Sequence, residues 1–151
     1  MPWTDWACIA LCLFLSLVES RRGSLTALMD LFGALFALRA AEELYPYVIS
    51  EAVGPDIAYV LVLGALLLLL VMISWQVQMA TARLRSPADF TIGAAAGVAL
   101  GFVLAYALFH FLLIAYGRSY GPFEDSFIRP YVHDLTWLHS IGKHLGLKTR
   151  L

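Results

Sequence analysis

Charge is what this sequence has little of. Ten Lys/Arg and eleven Asp/Glu make up 14% of its 151 residues and 61% are hydrophobic, against about 25% charged and about 45–50% apolar in an ordinary soluble domain. So little polar surface excludes a freely soluble chain. The formal net charge of -1 also excludes the concentrated basic surface with which nucleic-acid binders neutralise phosphates, so no nucleic-acid partner is expected. No nucleophile elbow, HExxH helix, phosphate loop or tight carboxylate pair stands out, and no enzyme, cofactor or metal is expected. Cysteine is nearly missing too. Cys8 and Cys12 lie one turn apart in an apolar stretch and read as small buried apolar residues rather than a redox or metal pair. The opening Met-Pro-Trp-Thr-Asp-Trp has no basic n-region, so the first hydrophobic segment is expected to stay in the protein.

What the sequence does have is long charge-free runs. Ile57 to Ala82 and Phe90 to Gly117 contain no Asp, Glu, Lys or Arg, and each exceeds the roughly 20 residues that cross a bilayer. They predict transmembrane helices at about 57–79 and 91–116. Trp6 to Val18, held between Asp5 and Glu19 with Trp3 and Trp6 as an interfacial anchor, predicts a shorter span at about 6–20. Leu25 to Ala41 is interrupted by Asp30 and Arg39; as an isolated helix it inserts poorly, which makes 25–41 the weakest span. Ile128, Tyr131, Leu135, Leu138, Gly142 and Leu145 recur at helical spacing and predict an amphipathic tail helix at about 126–145, whose apolar stripe could lie on the membrane surface, pair with another copy or, in the favoured reading, pack on its own protein. The expected fold is an all-α membrane protein of four transmembrane helices plus this tail, one domain over 1–151 without internal repeat.

Four spans make the loops alternate in charge. Arg21 and Arg22 come first, then the acidic Glu42–Asp56 stretch with no Lys or Arg, then Arg83 and Arg85. The positive-inside rule puts the first and third loops in the cytoplasm and both termini outside, with Arg118 and Arg129 counting against. His133, His139 and His144 would make the tail pH-responsive. As zinc ligands they fail, because His133 and His144 stand about 16 Å apart along a helix and His139 points elsewhere.

The sharpest pattern opens the last span: Asp89, then Gly93, Gly97 and Gly101 at intervals of four. Such a groove lets two backbones approach closely, so another helix, from this chain or a second copy, is expected to dock there. Asp89 is placed to cap the helix start through backbone N–H groups. Three polar groups inside the spans, Asp30, Arg39 and His110, are candidates for an intramembrane function, with Arg39 or His110 as partner for Asp30.

The Asp-x3-Gly-x3-Gly-x3-Gly series resembles the third-loop and fourth-helix signature of the colicin V production (CvpA) family of bacterial inner-membrane proteins. Asp5-Trp6 and Arg22-Gly23 are similar to that family's first-helix start and first-loop Arg-Gly. The likeness extends over nearly the whole chain, although Phe90 and Leu100 stand where members often carry Arg. The resemblance implies a non-enzymatic inner-membrane protein that supports colicin V production or export and envelope homeostasis, working with the lipid bilayer and with another copy or an export protein. Some relatives are fused to an extracytoplasmic serine protease, which agrees with an outward C-terminus. The competing expectation is a small channel or transport subunit with a polar path through Asp30, Arg39 and His110.

Overall fold

Prolines mark where the helices begin, because a fixed φ and a missing N–H cost nothing in a first turn. The computed structural model describes residues 2–81, 87–117 and 120–132. Pro2 precedes α1 (Trp3–Arg22), Pro55 opens α3 (Pro55–Thr81) and Pro87 opens α4 (Pro87–Tyr116). Between α1 and α3 lies α2 (Ser24–Leu44), which ends in a 3-10 turn over Tyr45–Tyr47. Two short helices follow, α5 (Gly121–Glu124) and α6 (Arg129–Val132). The first four are long and apolar enough to cross a membrane, and the chain is an all-α, multi-pass membrane protein.

Both early helices are longer than the charge pattern predicts, and the reason is common to them. The expected limits of the first span were its flanking charges. Asp5 and Glu19 instead lie within α1 and are buried, Asp5 bonded to the segment after α4 and Glu19 to Arg22 at the end of the same helix. In α2, Asp30 is buried while Arg39 stays in the outer part of the helix, where it pairs with Glu42 and Glu43 one turn on. A charge that meets a partner inside the bundle does not have to end the span.

Helix α4 is the centre of the bundle. It packs along α1 on one side and α2 on the other, and α3 packs chiefly on α2. The α1 contact is backbone against backbone. A Cβ on Gly93 would meet the Glu19 carbonyl oxygen at 2.5 Å; on Gly97 it would meet the Leu15 carbonyl oxygen at 2.5 Å and Ser16 Cα at 2.7 Å; on Gly101, Cys12 Cα at 2.6 Å. As α4 advances by four residues, α1 retreats by about four, so the helices run antiparallel in register. Ala105 and Phe109 continue the stripe onto Cys8 in a buried cluster with Leu112 and Val132. The groove is therefore filled by this chain's own first helix. On α2 the inward face is small as well, with Ala27, Ala34, Ala37 and Ala41 buried. Helix α3 buries only Ala58, Tyr59 and Ser74 and turns Leu68, Leu69, Met72 and Trp75 outward, as suits a helix that is apolar all round and faces lipid.

The segment after α4 folds back onto the start of α1. Asp5 is fully buried; its Oδ1 accepts the Ser126 hydroxyl at 2.5 Å and the Ile128 N–H at 3.3 Å, and its Oδ2 accepts the Phe127 N–H at 3.2 Å. Thr4 Oγ1 donates to the Pro122 carbonyl at 2.7 Å. The tail stripe beyond Val132, with His133, His139 and His144, lies outside the described residues, as do Arg83, Arg85 and Arg118.

Gly97→Ala should destabilise the protein by about 1–3 kcal/mol, since α1 backbone must move to admit the methyl. Gly64→Ala, in open space on α3, should be neutral or slightly stabilising. Unfolding in mixed detergent micelles compares the two, and equal effects would contradict the groove.

Candidate functional site

A single glycine joins the first two helices, and it determines where Arg22 points. Gly23 adopts φ 101° and ψ 155°, a region essentially restricted to glycine. A Cβ there would touch nothing within 4 Å, so the requirement is conformational rather than steric. The reversal turns Arg22, counted in the sequence as a loop charge, back among the helices.

There its guanidinium ties three of them together. One terminal nitrogen donates to Glu19 Oε1 at 2.9 Å and to Asp30 Oδ2 at 2.5 Å, the other to Ser74 Oγ at 2.5 Å, and Nε donates to Gln78 Oε1 at 3.1 Å. Glu19 belongs to α1, Asp30 to α2, and Ser74 and Gln78 to α3. Charge-assisted bonds of this kind are the strong ones, and the fork of Arg suits several acceptors at once. Beside this cluster the Ser24 hydroxyl donates to Asp89 Oδ1 and so joins α2 to α4. Asp89 is not the capping residue that the sequence suggests. It is the third residue of α4, in the first turn, where its charge still complements the helix N-terminus. A small cavity of about 90 Å³ lies here, lined by Arg22, Gly23, Ser24, Thr26, Thr81 and Asp89 among others.

The structure does not bring Asp30, Arg39 and His110 together. Asp30 takes Arg22, a partner not considered from the sequence. Arg39 is nine residues further along α2, or about 13 Å of rise. Its side chain is 71% exposed and bonds Glu42 at 3.2 Å and Glu43 at 3.3 Å. His110 is half-buried against aromatic rings, 5.1 Å from Tyr59 and stacked on Tyr106 at 6.1 Å. Arg39 and Tyr106 instead border a larger, mainly apolar cavity of about 660 Å³ between α2, α4 and α6. Arg39 and His110 are linked indirectly, through Glu42 and Tyr106, while Asp30 stands apart from both with Arg22.

Two further points bear on catalysis and ligands. The expectation of no GxSxG stretch needs correcting, since Gly117-Arg118-Ser119-Tyr120-Gly121 match those letters; an elbow, however, needs a strand leading into a helix, whereas here α4 leads in, and Ser119 lies outside the described residues. Among the described residues no three His, Cys, Asp or Glu side chains converge as a metal site. Comparisons with family profiles, with curated proteins and with solved structures find no match to this chain. Its reading rests on its own residues.

The residues missed from the sequence are Glu19, Ser74 and Gln78. The usable signal for the latter two was polarity at helical positions: Ser74, Gln76, Gln78 and Thr81 are the polar side chains near the end of an otherwise apolar run. Arg22→Met leaves the buried Glu19 and Asp30 carboxyl groups without a cation and should cost about 3–5 kcal/mol. Arg39→Met removes an exposed pair and should cost within about 1 kcal/mol. Micelle unfolding of both variants would contradict the cluster's importance if Arg39→Met proved the more damaging.

Proposed function

We propose that this chain is a non-enzymatic protein of the bacterial inner membrane that supports colicin V production or export and envelope homeostasis, with both termini periplasmic. One observation carries this reading. The motif residues that resemble the colicin V production family are spread over the chain from Asp5 to Gly101, yet all bear on α1 and its ends. Asp5 holds the returning segment, Arg22 and Gly23 turn the first loop inward, and Gly93, Gly97 and Gly101 receive the α1 backbone. Asp89 joins the same end through Ser24. A motif set that builds helix packing reads as a scaffold signature rather than a reaction centre.

The charge layout supports the orientation. Arg21, Arg22 and the start of α4 share one end, which the positive-inside rule assigns to the cytoplasm. The acidic connection from Glu42 to Asp56 and the segment bonded to Asp5 share the other. The lipid bilayer surrounds the outward face of α3, and a second copy or an export protein would dock from the membrane plane. A channel or transport role through Asp30, Arg39 and His110 has less support, because Asp30 stands apart from the other two, on Arg22.

One strain tests both parts. The gene is deleted in a host that carries a colicin V plasmid, then restored as a Phe127→Cys chain lacking Cys8 and Cys12; Phe127 is exposed beside the Asp5 contact. Toxin release should fall on deletion and return on restoration, and a membrane-impermeant maleimide should label intact cells. Undiminished release from the deletion strain would overturn the toxin role, and labelling only after lysis would overturn the orientation.

A further inference from the structure

Among the described residues, the cluster around Arg22 is one positive charge short. Glu19 and Asp30 are 2% and 5% exposed, and among the described residues Arg22 is the one cation bonded to either. Each carboxyl has one oxygen, Glu19 Oε2 and Asp30 Oδ1, buried without a hydrogen-bond partner, and so does the Thr26 hydroxyl one turn before Asp30. The described residues of the neighbouring elements do not balance the excess: α2 presents Ser24 and Thr26, α3 presents the neutral Ser74 and Gln78, and α4 presents Asp89, itself negative.

Two carboxyl groups that share a buried site do not readily both ionise. A buried acceptor without a donor is also unfavourable. One proton relieves both conditions, since it brings the cluster from a net charge of minus one to zero and turns one of the orphaned acceptors into a donor. We propose that Glu19 and Asp30 together hold one exchangeable proton, with Arg22 as the fixed counter-charge, so that this end of the bundle is a proton-binding site. The proton is taken from water and returned to it, and no bond other than O–H is made or broken. A cavity of about 90 Å³ touches Thr26 and Arg22, the residue that bonds both carboxyls.

The test is infrared spectroscopy of the full-length purified chain in liposomes, at neutral pH and in potassium buffer. The wild type should show the carbonyl stretch of a protonated carboxyl, equivalent to one group per chain and shifted in D2O. Glu19→Gln and Asp30→Asn should each lose that band, because either amide leaves a single carboxylate opposite Arg22. Circular dichroism establishes that each variant is folded, and if one does not fold the other decides. Absence of the band in the wild type, or its survival in a folded variant, would overturn the proposal. Loss of the wild-type band when sodium replaces potassium would also overturn it, by making the site one for a metal cation.

Discussion

The approach of the α1 backbone into the glycine groove of α4 is the contact on which the rest of the structure depends. Within a bilayer, helices gain little from hiding apolar surface from one another, and association rests on close van der Waals contact and interhelical hydrogen bonds. Gly93, Gly97 and Gly101 provide that contact along three turns. Because α1 is held in register there, its two polar ends are also positioned: Asp5 meets the segment after α4, and Glu19 and Arg22 meet α2 and α3.

The polar ends resolve a conflict in the composition. Ionised groups in a membrane helix are costly unless they are paired or reach water, and α1 and α2 contain several. At one end Arg22 gathers Glu19 and Asp30; at the other, Asp5 is satisfied by a hydroxyl and two backbone N–H groups. The ends of α1 are thereby fastened to the bundle through hydrogen bonds, while the middle is fastened through shape. Helix α3, with little of either, is the most lipid-exposed of the four.

Much of the fold is legible in the sequence and less of the site. Helices α3 and α4 follow from charge-free runs long enough to cross a bilayer, and the groove follows from three glycines on one face. The lengths of α1 and α2 are not legible from local composition, because Asp5, Glu19 and Asp30 look like interruptions until their partners are known. Arg22, at the end of α1, was counted with the loop, its acceptors Ser74 and Gln78 are 52 and 56 residues away from it, and Asp5 is met by Ser126, Phe127 and Ile128 from the segment after α4. Arg39 and His110 illustrate the converse. Both are polar groups in apolar runs, but one pairs along its own helix near an end and the other packs among tyrosines. Periodicity identifies which residues share a face, and it does not identify what stands opposite.

The most direct test is whether α1 occupies the groove of its own chain. Cys8 and Ala105 meet in the buried cluster below the glycines, so a Cys12→Ala, Ala105→Cys chain pairs two cysteines across the α1–α4 contact. Oxidation in the native membrane with a membrane-permeant oxidant should give a reducible crosslink within the monomer, seen as a faster-migrating band. A disulfide-linked dimer in its place would show that the groove is filled by α1 of a second copy, and would contradict the packing on which the two polar ends depend.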